Sequence, residues 1–169
     1  MENNHINNHI CNNHTRNERN HCGRLNHEMS YCDMCDRKCE NEHGGEVYSL
    51  NVENVASKNQ NFRESIWTGH YLQMTVMCIP HSKNIGIELH DDTDQYIRVE
   101  HGYALVLTGN DPKCLYNKKK LCRGDAIFIP AGVWHDVVNV GRGPLKLSSV
   151  YAPPHHPKCT VEKHRMDFH

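Results

Sequence analysis

Glu88, His90, Gln95 and His135 are the residues whose types and spacing carry the clearest chemistry in this 169-residue chain. Glu88 and His90 are two positions apart, and in an extended strand residues i and i+2 point to the same face. Gln95 follows the acidic turn Asp91-Asp92-Thr93-Asp94, so a strand starting there returns beside them. His135 opens a later strand behind the turn Pro130-Ala131-Gly132. Two imidazoles and a carboxylate are the donors of a non-haem iron type of site, and Gln95 adds a neutral oxygen. Four protein donors leave one or two positions open on a five- or six-coordinate ion, as a catalytic metal requires. The spacing by itself equally fits a plain reading. In that reading Glu88 and His90 are a solvent-facing pair, Gln95 is a turn residue and His135 is a partly buried histidine with one hydrogen bond.

The elements that must position these residues are short strands. Gly124-Asp125 is a turn signal, and Ala126 to Ile129 is an apolar run with two β-branched isoleucines. Pro130 and Gly132 break that run, one lacking an N–H and the other tolerating unusual backbone angles. Trp134 to Val138 begins the next strand. Further strands are read at Ser65–Thr68, Tyr71–Ile79, Gly86–His90, Gln95–His101, Tyr103–Thr108 and Leu145–Tyr151. Lys113–Leu121 reads as an exposed hairpin with Asn117-Lys118-Lys119-Lys120 at its tip, the lysines forming a solvated face. Glu46–Val52 alternates apolar and polar residues like a first strand, and Glu53–Glu64 is a short helix or an irregular linker. Eight or nine short strands with turn signals between them predict an all-β sandwich or barrel. Tyr71, Gln73, Tyr96 and Trp134 are candidates for the barrel mouth, as packing or rim residues. Ala152 to Pro157 reads as an extended crossing segment, with a polar, fraying end after it.

Gly124-x5-Pro130-x-Gly132-x2-His135-x3-Asn139 resembles the second cupin motif at every defined position. The first cupin motif, G-x5-H-x-H-x4-E-x6-G, falls on Ser82, Glu88, His90, Gln95 and Gly102. Its spacing is kept, but Ser82 replaces a glycine, Glu88 a histidine and Gln95 a glutamate. The resemblance, covering about the last two thirds of the chain, is to small single-domain bacterial cupins. It implies a cupin-type double-stranded β-helix, or jelly-roll barrel, holding one divalent metal ion on Glu88, His90, Gln95 and His135. Fe, Mn, Zn and Ni all suit that description. It also implies a small-molecule ligand and a homodimer built through an edge or swapped strand. Glu88 retains one anionic donor. Gln95 removes an anionic ligand or base, so oxalate-decarboxylase-like chemistry is not assigned.

Composition divides the chain into parts. Residues 1–44 form a low-complexity tail rich in His, Asn and Cys, with too few apolar residues to offset its ordering entropy, and disorder is expected there. Residues 45–64 read as a linker or lead-in segment, 65–154 as the β-barrel and 155–169 as a C-terminal extension. Within the tail, Cys32, Cys35 and Cys39 form a C-x2-C-x3-C cluster near Cys22, His27 and His43. Three readings stand side by side: a solvated tail, a metal-buffering tail, and a cross-linking tail in an assembly. The formal net charge of -1 gives no basic footprint for nucleic acid. No apolar run has the length of a membrane span, and no signal-peptide h-region is visible. A cytoplasmic protein is expected, with a spore coat or similar assembly as the alternative. In that setting the nine cysteines are expected as thiols or metal ligands rather than disulfides. Three functions remain: a metal-dependent isomerase, dioxygenase or lyase on a small polar molecule, a non-catalytic binding module, or a structural or metal-handling protein that uses the tail.

Overall fold

In a computed structural model the chain is described over residues 40–165. The reading of the tail therefore falls, for residues 1–39, outside the described residues. Asn51 caps the first element, its side chain accepting the Asn54 N–H at 2.9 Å, and α1 runs over Val52–Lys58. This corrects the expected first strand at Glu46–Val52. Asn51 satisfies an orphan N–H of the first turn, and Glu53 sits favourably at the positive helix end. The short helix then buries Ala56 against Ile66 and Val76.

The remaining elements are strands: β1 Arg63–Thr68, β2 Gln73–Ile79, β3 Asp94–His101, β4 Tyr103–Gly109, β5 Asn117–Cys122, β6 Ala126–Ile129, β7 Trp134–Asn139, β8 Leu145–Ala152 and β9 Val161–Glu162. They form a six-stranded sheet ordered β6-β3-β8-β2-β1-β9 and a three-stranded sheet ordered β5-β4-β7. The core between them draws on both, with Ile97, Val99, Leu145 and Leu147 from the larger and Ala104, Val106 and Val137 from the smaller. Period-two alternation on β3 puts Gln95, Ile97 and Val99 inward, while Tyr96 and Arg98 are half-buried. The all-β jelly-roll reading of the sequence holds.

Four local expectations are overturned. Gly86–His90 is not a regular strand; it runs beside β7 through isolated bridges at Asn84↔Val138 and Glu88↔His135. Gly86, at φ 99°, breaks the extended geometry. The lysine run is no hairpin tip, because Lys118–Lys120 lie within β5, paired to Leu105–Leu107 of β4. They are exposed as read, and charge on an edge strand discourages further pairing. The C-terminal part does not fray before Glu162, since β9 pairs with β1 at Arg63↔Glu162 and Glu64↔Val161. Cys78, Cys114 and Cys122 are free, whereas Cys159 is disulfide-bonded, against the expectation for its class. No helix among the described residues is long and apolar enough to cross a membrane.

Candidate metal centre

His135 is held from both sides. Its backbone exchanges hydrogen bonds with Glu88, at 2.8 Å from Glu88 N to His135 O and 2.9 Å from His135 N to Glu88 O. Its ring Nδ1 lies 2.9 Å from the carbonyl of Val133, which can only accept, so Nδ1 carries the proton and Nε2 the lone pair. Fixing a ligating imidazole through its other nitrogen is the usual way its tautomer and orientation are set. Gly132 takes φ 78°, a left-handed geometry that suits glycine, and its N–H reaches the His90 carbonyl at 2.8 Å. Asp94 accepts the Ala131 N–H at 3.0 Å, so an acidic residue of the turn also braces this loop. Asp136 is buried and accepts from Asn84 Nδ2 and from the Gly86 N–H, which lashes segment 84–88 to β7.

Glu88, His90 and His135 each present a donor atom within 4.8 Å of the other two. Glu88 Oε2 lies 3.8 Å from His90 Nε2. Neither of those atoms has a hydrogen-bond partner, nor does His135 Nε2 or Gln95 Oε1, and all are buried. Buried polar atoms are satisfied in the great majority of cases, so four orphans in one place ask for an occupant. A tetrahedral ion with bonds of about 2.1 Å holds its donors roughly 3.4 Å apart. The observed spread closes to that by about an ångström of side-chain movement, and the donor set fits a divalent cation. Gln95 lies beside the trio, its Nε2 donating to the Tyr151 hydroxyl at 3.1 Å. The four residues singled out in the sequence are thus brought to one end of the barrel.

Other groups at the site were not foreseen. Arg63 of β1 is buried and pairs at 3.0 Å with Glu88 Oε1 and at 3.0 Å with Glu162 Oε2. It therefore occupies one carboxylate oxygen of Glu88 and leaves the other for the cluster. Burial works against its charge, but Tyr151, Glu88 and Glu162 outweigh that and hold the guanidinium pKa above its ordinary value. The His155 ring centroid is 4.0 Å from that of His90, and the His156 ring lies edge-on to Tyr151 at 5.0 Å. Gln73 fixes this segment, its side-chain amide bonding both the N–H and the C=O of His156 at 2.9 Å. Gln73 is thus buried under the site rather than at its rim, while Tyr71 is exposed and Tyr96 stacks on Phe128. The only signal in the sequence was the His-His pair behind Pro153-Pro154; nothing marked Arg63.

Burial, then the charges of His155, His135 and Arg63, lower the His90 pKa to about 4. Burial and the nearby Arg63 lower that of His156 to about 3. Burial raises the Tyr151 hydroxyl to about 12. At neutral pH His90 is thus a neutral imidazole, the ligand form, and His156 is neutral too, beside a protonated tyrosine.

The chain matches the family described as Cupin domain over residues 75–151. It is 37% identical over 126 residues to the uncharacterized protein YrkC of Bacillus subtilis (strain 168), covering 75% of this chain and 68% of that protein. The crystal structure of BH2720 from Bacillus halodurans superposes with a TM-score of 0.72 at 43% identity, over 73% of this chain and 93% of that one. An RmlC-like cupin family protein from Methanocaldococcus jannaschii shares the double-stranded β-helix fold, with a TM-score of 0.50 at 13% identity over 64% of this chain and 90% of that one. With its second motif intact around His135 and with Glu88 and His90 gathered beside that residue, the chain belongs to the cupin family.

Proposed function

We propose that the chain holds one divalent cation on Glu88, His90 and His135, with Gln95 as a neutral fourth donor, and acts there on a small polar molecule. The reaction class is isomerase, dioxygenase or lyase. The observation that carries this reading is the set of buried donor atoms left without partners: Glu88 Oε2, His90 Nε2, His135 Nε2 and Gln95 Oε1. When bound, the ion supplies Lewis-acid polarisation of a substrate oxygen. The rest is done by the chain. Arg63 turns Glu88 so that one oxygen faces the cluster, and Val133 fixes the His135 tautomer. Tyr151 keeps its proton at neutral pH and orients Gln95. The exposed His155, its ring 4.0 Å from that of His90, is the group of this reading that meets the substrate first.

The test is metal content. Protein purified without an affinity tag is dialysed against Mn²⁺, Fe²⁺, Ni²⁺ or Zn²⁺ and analysed elementally, beside His90→Ala and His135→Ala. Each variant is expected to bind one ion fewer per chain than the parent while keeping its circular dichroism. Equal content in all three proteins removes the metal centre. The homodimer is part of the same proposal. It is supported by β6, a four-residue edge strand of the larger sheet whose Phe128 is 78% exposed.

A further inference from the structure

A cavity of about 950 Å³ opens near the end of β7 away from His135, with Val138 of that strand and Arg142, Gly143 and Pro144 beyond it in its lining. His135 and Val138 are three residues apart on β7, so the two sites are separated by about 10 Å along that strand. Its walls include the apolar Phe62, Pro80, Val138 and Pro144, with the free thiol of the buried Cys78 among them. Its charged lining residues are Lys83, Arg142, Lys163 and Arg165, and among the described residues no carboxylate lines it.

The charge is not a by-product of a basic protein, since the whole chain has 19 Lys and Arg against 20 Asp and Glu. Lys83, Arg142 and Lys163 form no ion pair among the described residues. The neighbouring carboxylates are engaged elsewhere: Asp136 by Asn84 and the Gly86 N–H, Glu162 by Arg63. Arg165 is tied to the rim through Asn84 Oδ1. Side chains of one sign around a concave, low-dielectric surface focus the field and draw in the opposite charge. Pockets of this size with apolar walls and a few convergent polar groups are the usual form of small-molecule sites.

The rim is also conformationally costly. Ser82 adopts φ 61°, the left-handed region that a non-glycine residue occupies at a penalty of about 1–2 kcal/mol. Its hydroxyl lies 3.0 Å from His81 Nε2, while His81 Nδ1 donates to the Gly141 carbonyl. Ser82 and His81 both line the cavity. Strain of this kind concentrates at ligand-binding loops.

We infer that this cavity is a second ligand site, which takes an organic anion with an apolar body seated on Phe62 and Val138 and a carboxylate or phosphate head among Lys83, Arg142 and Lys163. It is independent of the metal centre.

The probes are octanoate and octyl phosphate, with 1-octanol as the body without charge and inorganic phosphate as the head without body, titrated calorimetrically into the full chain. One saturable site is expected for an anionic octyl probe, at least roughly tenfold tighter than for octanol or phosphate, a margin of about 1.4 kcal/mol. Whichever head binds more tightly names the head group. Arg142→Glu with Lys163→Glu, both at exposed positions, is expected to weaken that binding by more than about tenfold. His135→Ala and chelator treatment are expected to leave it unchanged. As a second readout, octanoate is expected to slow alkylation of Cys78 but not of the exposed Cys122, mapped by peptide mass. The inference is overturned if octanol or phosphate binds as well as the anions, or if charge reversal has no effect. It is also overturned if His135→Ala abolishes binding or if Cys78 is unprotected.

Discussion

Glu88 divides its two carboxylate oxygens between Arg63 and the cluster, with Oε1 3.0 Å from Nη2 and Oε2 without a partner. Arg63 is therefore the residue that decides how Glu88 meets an ion. Arg63→Met is expected to weaken binding of Mn²⁺ or Zn²⁺ by about 10–100-fold, the usual effect of losing a partner that orients a ligand. Titration calorimetry measures it, and an unchanged affinity would show that Glu88 needs no such anchor. The histidines add a pH dependence to the metal-free protein. His90 and His156 are held below the usual 6.5, at about 4 and about 3, by burial first and then by neighbouring charge. The unfolded chain therefore binds their protons more readily. Their contribution is complete above about pH 6.5 and is lost as pH falls towards 4. His90 alone accounts for about 2–3 kcal/mol between pH 7.5 and 4.5. Urea unfolding in the presence of a chelator at the two pH values checks this, and a flat profile would contradict it.

At the scale of elements, the site depends on how an irregular segment is fastened to a strand. Asp136 does this by accepting from Asn84 and Gly86 on the segment that carries Glu88. Asp136→Ala leaves buried donors unpaired and is expected to cost about 2–4 kcal/mol, read from denaturant midpoints. Ser82→Gly relieves a left-handed serine and is expected to gain about 1 kcal/mol in the same assay. The motif around His135 was legible because its residues have local causes. Gly132 needs a positive φ, and Asn139 fixes the turn after β7 through bonds to the Ile79 and Gly143 carbonyls and the Gly141 N–H. The strand boundaries of β2, β3, β4, β6, β7 and β8 were legible from period and turn signals, to within two residues. Gly86–His90 was misread because apolar alternation does not report whether neighbouring strands supply a continuous ladder. Arg63 was invisible for a different reason. Its partners Glu88 and Glu162 are 25 and 99 residues away, and sequence spacing carries no signal over such separations.

At the scale of the whole molecule, the barrel has two differently built ends. One gathers imidazoles, a carboxylate and an amide, while the other is lined by cations over an apolar wall. β6 leaves an open edge on the larger sheet, with Phe128 exposed beside it. Sedimentation velocity is expected to show a homodimer, and Phe128→Asp a monomer. A parent protein that is monomeric at all concentrations would remove the edge from consideration.

One cation is proposed to sit among Glu88, His90 and His135. The most direct measurement is an anomalous-difference map from crystals grown with Mn²⁺ or Zn²⁺. A peak is expected about 2.0–2.2 Å from Nε2 of His90, Nε2 of His135 and an oxygen of Glu88. A map with no peak among those three side chains, in crystals soaked to saturation, would contradict it.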